Sequence, residues 1–268
     1  MTSEKIERLA DMNDYDIAYG TWDFDGKQVP VASQYRIAWR AMAATTGFRT
    51  VYSSILPREA THIHGIHSAA ALNPSTLVSV AAVLSSVVSD FFIRSTGLSN
   101  LYGPAINGVP FAGSLETDPF LSESALRLNS LTCAYADIWE ELTSENWGPE
   151  VPVKNALERE IVQCGIDAKV AMSSGLSADE LCMIYRTQFP VMRRYDMEDR
   201  YDANGRRVPK DVMKLESKLK DGEQLPEAER TWTHPQSGVE YVFEYPFEPF
   251  DRENAYREAF DAIESSID

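Results

Sequence analysis

Apolar and polar positions alternate most clearly in residues 35–57, YRIAWRAMAATTGFRTVYSSILP. Period two places Arg36, Ala38 and Arg40 on one side of a strand and Tyr35, Ile37 and Trp39 on the other. The aromatic side suits a core. The opposite side then presents two guanidinium groups about 7 Å apart, two strand rises. Ala43 to Gly47 make a small-residue turn, and a second apolar run from Phe48 to Leu56 carries Arg49 and stops at Pro57. Residues 61–68, THIHGIHS, read as a short β segment.

Helical spacing takes over at Pro74. Leu77, Val80, Ala81, Leu84, Val87 and Val88 predict one buried helix to about Ile93. Ser95–Asn107 is a polar loop and Val109–Phe111 a brief strand. A helix opens at Ser122 and runs through Leu126, Leu131, Tyr135, Ile138, Trp139 and Leu142. Leu126, Tyr135, Trp139 and, later, Ile184 are expected core anchors. A second helix covers about 152–174, and Ser177 with Glu180 forms a capping box that opens 178–188. Asp202–Gly205 is a turn, 212–219 a short helix and 240–245 a strand, and Asp251 caps a terminal helix. At the other end, 2–11 reads as a short helix and Asp25–Gly26 as a turn. Strands followed by helices and mixed pieces predict an α+β fold, with an acidic segment at 1–34, a β-rich segment at 35–120 and a helical region at 121–268.

Charge sharpens this division. The 268 residues carry a net charge of −16, which argues against a nucleic-acid partner for the chain taken whole. Residues 31–110 are the exception: five arginines (Arg36, Arg40, Arg49, Arg58, Arg94) face only Glu59 and Asp90, with no lysine, and three of the four histidines lie there. Arginine without lysine suits directed hydrogen bonds to phosphate or guanine; the plainer alternative is that these arginines pair with acidic neighbours. No run of 18 apolar residues predicts a membrane span. Three widely spaced cysteines form neither a disulfide framework nor a zinc pair, which fits a reducing cytoplasm.

His62, His64 and His67 form H-x-H-x-x-H, with His62 and His64 on one face if the segment is a strand. Only Glu59 lies nearby as a further ligand, so no metal is expected and polar or DNA-facing roles are favoured. Thr45, Thr46, Ser99 and Asn100 are polar loop residues suited to phosphate contact or to turn capping. No G-x-S-x-G elbow supports a hydrolase.

The stretch Arg36-x-x-Trp39-Arg40-x-Met42-Ala43-x-x-Thr46-x-x-Arg49-Thr50, closing with Ile55-Leu56-Pro57, resembles the start of the target-recognition region of large adenine-specific DNA methyltransferases of type IIG restriction–modification and BREX- or DISARM-like phage-defence systems. Ser89-Asp90-Phe91-Phe92-Ile93-Arg94 with the loop to Tyr102, Gly175-Leu176-Ser177-x-x-Glu180-Leu181, Arg193-Arg194-Tyr195 and Asp202-x-Asn204-Gly205-Arg206 continue the resemblance over roughly 33–260. It implies a bacterial DNA-recognition domain that binds double-stranded DNA through Arg36, Arg40, Thr46, Arg49, Arg58, His62, His64, Ser99 and Asn100. The glycine-rich loop and the Asn/Asp-Pro-Pro-aromatic tetrapeptide of such enzymes are absent: Asn73-Pro74 is followed by Ser75-Thr76. The chain is therefore expected to be non-catalytic and to bind no cofactor itself, with S-adenosylmethionine held by a separate methyltransferase domain. The alternative, motivated by the net charge, is an acidic protein-interaction module or DNA mimic.

Overall fold

The computed structural model describes residues 20–44, 46–220 and 222–266. Among the described residues, seven short strands, all paired antiparallel, and eleven α-helices make an α+β protein. The helix expected over 2–11 and Thr45 lie outside the described residues. Among the described residues no single helix is long and apolar enough to cross a membrane. The chain divides into two compact units, Met1–Thr45 with Arg49–Pro152, and Thr46–Phe48 with Val153–Asp268. The division after Pro152 differs from the expected boundary at 120, because the helices that follow 120 pack on the first unit's own helix.

In the first unit, β1 (Thr21–Phe24) and β2 (Lys27–Pro30) flank the Asp25–Gly26 turn. The main sheet has the order β4–β3–β5, with β3 (Arg36–Arg40) central between β4 (Ser53–Leu56) and β5 (Ile66–Ala69). Trp39 lies opposite both Ser53 and His67, and Ile37 opposite Ile55 and Ala69. Ile37, Trp39 and Ile55 are buried as expected, but Arg36 and Ala38 on the opposite side are buried too, so along β3 only Arg40 is exposed. The apolar run 48–56 forms a strand only from Ser53. The 61–68 segment forms one only from Ile66, since Gly65, at φ +117°, adopts a backbone that side-chain-bearing residues rarely reach.

The long helix expected over 74–93 is two: α1 (Pro74–Ser85), capped by Asn73, and α2 (Val87–Thr96), capped by Ser86, bent by 64°. Ser86 causes the break. Its hydroxyl donates to Val83 O at 2.7 Å and accepts from Ser89 N at 3.2 Å, so it ends one helix and starts the next. The loop after α2 contains α3 (Gly103–Asn107), and 109–111 is not a strand. Asp118, not Ser122, caps α4 (Pro119–Asn129), and the predicted continuous helix stops there; α5 (Ala136–Thr143) is separate. Both pack with α1, which also packs on the sheet.

In the second unit, α6 (Ala156–Ser173) packs along α11 (Arg252–Ser265), with α7 (Ala178–Gln188) and α8 (Pro190–Glu198) beside them. Arg252 is buried and fully engaged. It binds Asp196 through two hydrogen bonds, at 2.7 and 3.0 Å, and Glu160 at 2.6 Å, while Tyr185 donates its hydroxyl to Asp196 at 2.7 Å. The bidentate geometry offsets the desolvation that a lone buried guanidinium suffers. The predicted Ser177–Glu180 capping box and Asp251 cap are both formed. The helix after 205 is α9 (Lys210–Glu216); α10 (Glu227–Arg230) then leads into the β6 (Thr231–Thr233) and β7 (Glu240–Val242) hairpin.

Of the expected anchors, Leu126, Trp139 and Ile184 are buried, whereas Tyr135 is half-buried and donates its hydroxyl to Ile55 O at 2.8 Å. Leu131, placed on the same apolar face, is 53% exposed because the helix has already ended. Trp139 is 3% exposed, so Trp139→Ala should destabilise the chain by roughly 3–5 kcal/mol. Denaturant unfolding followed by circular dichroism measures this, and an unchanged midpoint would place the side chain at the surface.

Candidate nucleic-acid interface

Alternation gives the main sheet two unlike faces. One bears the buried Ile37, Trp39 and Ile55; the other bears Arg36, Ala38 and Arg40, with Ser54 and Leu56 from β4 and Ile66 from β5. A cavity of about 560 Å³ opens on the second face, lined by Ala38, Arg40, Tyr52, Ser54, Leu56, His62, Ile63, His64 and Ile66 among others. The segment 62–65 forms one wall, and β3 and β4 form the floor. Arg40 is exposed and has no ion pair or side-chain hydrogen bond among the described residues. His64 is also exposed, 6.5 Å from the ring of His67. His62 is half-buried and fixed by a 2.8 Å hydrogen bond to the Ser68 hydroxyl.

The strand direction of β3 continues past Arg40. Ala43 N donates to Ser99 O at 2.9 Å and Leu101 N to Ala41 O at 2.8 Å, which pairs Met42 with Asn100. Trp39 locks this pairing from the buried face by donating its indole N–H to Leu101 O at 2.7 Å. Ser99 and Asn100 are therefore exposed on a segment held beside the continuation of the strand that carries Arg40.

The expected patch of two or three open arginines is not built. Arg36 is 3% exposed and donates to Ala60 O, because the turn after Pro57 folds over it. Arg49 is turned inward: its Nε lies 3.5 Å from Asp90 and its guanidinium donates to Ser85 O. Burial pushes the Asp90 carboxyl above the ordinary aspartate range; Arg49 and the backbone N–H groups of Val51 and Thr50 oppose that shift. Arg58 stacks over Tyr35 at 4.8 Å and pairs with Asp137 at 2.7 Å. Thr46 is exposed in a turn grouped with the second unit. For Arg49 and Arg58 the plainer alternative, pairing with acidic neighbours, describes what the side chains do, whereas Arg36 donates to a backbone carbonyl.

His62 and His64 do not share a strand face, since β5 begins only at Ile66, but both line the cavity. No group of three or more His, Cys, Asp or Glu able to hold a metal occurs among the described residues. Tyr52, Leu56 and Ile63 join the cavity lining beyond the residues expected from the sequence. The strand register signals Leu56, opposite Arg36, whereas Ile63 is in an irregular turn that no periodicity marks.

The Asp202–Arg206 motif is explained by folding. Asp202, 4% exposed, accepts from the backbone N–H groups of Asn204 at 3.0 Å and Arg206 at 2.8 Å, and from Arg206 Nε at 3.0 Å. Gly205, at φ +70°, closes this turn against the side chain of Asn155, where a Cβ would collide. Compared with protein-family models, with curated proteins and with solved structures, the chain matches none.

The Asp202 turn yields a signed pH prediction. Burial acts to raise its pKa, but the hydrogen bonds from Arg206 and from Glu244 N outweigh burial and hold the carboxyl below the ordinary range. A carboxyl depressed by folding contributes stability that is full above its unfolded pKa and is lost as pH falls through the folded value. Asp202→Asn should therefore lower stability at pH 7 by about 2 kcal/mol. The gap from the parent should narrow once the pH falls below about 4. Denaturant melts across that range check both the sign and the window.

Proposed function

We propose that this chain is a sequence-specific DNA target-recognition module, inert alone, that works in the bacterial cytoplasm. It positions double-stranded DNA for an S-adenosylmethionine-dependent, adenine-specific methyltransferase domain of a restriction–modification or phage-defence system, supplied in the same or another chain. The observation that carries this reading is the open end of the sheet face around Arg40. An unpaired, exposed Arg40 lies with His62 and His64 around one cavity, beside the Ser99–Asn100 segment paired to the continuation of its strand. Such a surface offers a directed guanidinium together with neutral donors and acceptors, the mixture that phosphate positioning and base reading use. The motifs from Arg36 to Pro57 supply the link to the methyltransferase class, and the missing tetrapeptide argues that catalysis lies elsewhere. Free buried Cys164 and Cys182 suit a reducing compartment.

The net charge of −16 favours a second reading, an acidic interaction module or DNA mimic. On the DNA reading, Arg40→Ala should weaken binding. If Arg40 reads a base, the loss is roughly 1–3 kcal/mol and selectivity relaxes at one position; if it holds a phosphate, all sequences weaken alike and the salt slope falls by about one. Arg58→Ala should leave binding unchanged. Competition binding at two salt concentrations tests this, and a chain that ignores DNA yet competes with DNA for a DNA-binding protein would establish the mimic instead.

A further inference from the structure

We propose that the cavity on the second sheet face takes an unpaired nucleobase, a ligand class that rests on the DNA reading above. Phosphate contact needs a cation and a few donors at the surface, and leaves the apolar part of this cavity without a use. Ala38 and Leu56 floor it, and Ile63, 82% exposed, stands at its wall. A nucleobase supplies what these surfaces lack: apolar faces on a planar ring and a polar edge. Tyr52, 43% exposed, and the imidazoles of His62 and His64 provide rings against which a base stacks; the Ser54 hydroxyl donates to Asn129 Oδ1 at 3.2 Å and keeps only acceptor capacity for the base edge. The exposed Arg40 lies where the phosphate flanking an extruded nucleotide would be neutralised. The volume, about 560 Å³ in a depression open to solvent, exceeds one base and leaves room for its sugar.

Extruding a base from a duplex opposes binding by the energy of unstacking and unpairing, which an already unpaired base does not incur. The site should accordingly prefer DNA that carries an unpaired nucleotide.

The test uses the full 268-residue chain and three 20-base-pair probes of one sequence: fully paired, with one central unpaired 2-aminopurine, and with an abasic residue in place of that base. The unpaired probe should bind about 5- to 150-fold more tightly than the paired one. The abasic probe should lose this advantage, and 2-aminopurine emission should fall on binding as the base stacks. Ile63→Ser, a charge-neutral change at an exposed position, should weaken binding of the unpaired probe more than that of the paired one, and so reduce the preference. Equal affinity for all three probes would overturn the base site and leave the DNA reading standing. Binding to none of them would overturn both. A preference that survives Ile63→Ser undiminished would place the base elsewhere and overturn this assignment.

Discussion

The carboxylate of Asp90, 1% exposed on α2, accepts hydrogen bonds from Thr50 N at 3.0 Å and Val51 N at 2.6 Å and draws Arg49 to 3.5 Å. Two backbone N–H groups at the entry to β4 would otherwise be buried without partners, a state that folded chains avoid. The same carboxylate fixes the start of β4 against the helix, and so the strand register opposite β3. Arg94 on the same helix is drawn in too, its Nε donating to Thr50 Oγ1 at 2.6 Å. A charged cluster rich in arginine thus becomes an internal brace. Arg40, one strand length from Arg36 on the same face, is left outward. The functional reading of the sheet depends on that sorting.

The sheet's outer boundary is organised by similar means. The free edge of β4 is closed by side chains: Asn129 Oδ1 accepts from Ile55 N at 3.1 Å, and Tyr135 donates its hydroxyl to Ile55 O at 2.8 Å. Capping an edge in this way satisfies its backbone and denies it to another strand. With the first face covered and this edge closed, the sheet's open surface is the part of the second face around Arg40, Tyr52 and Ser54, where the cavity lies, while Arg36 and Ala38 on that face are buried. The helices after residue 115 thus do more than scaffold: α4 and the Tyr135 turn complete the sheet on which the proposed interface is built.

Much of this was legible in the chain. Period two put Arg36, Ala38 and Arg40 on one face and Ile37 and Trp39 on the other, because strand geometry permits nothing else once the segment is extended. Local chemistry also identified the Ser177–Glu180 box, the Asp251 cap and the Asp202–Gly205 turn, whose partners lie within a few residues. What could not be read was long-range. Nothing local tells that Arg36 meets Ala60 or that Asp90 reaches Thr50 across 40 residues. The helix break at Ser86 was hidden because apolar spacing continues through it, while the serine hydroxyl competes for backbone groups in a way that periodicity does not register. Three arginines with equal claims in the sequence therefore separate into one that is open and two that are internal.

The central claim is that DNA meets the open face of the β4–β3–β5 sheet, and amide chemical-shift mapping of the isotope-labelled full chain titrated with duplex DNA tests it most directly. The account predicts perturbations concentrated at Arg40, His62–Gly65 and Ser99–Asn100, growing as salt is lowered. Shifts confined to other surfaces, or a spectrum unchanged at saturating DNA and low salt, would contradict it.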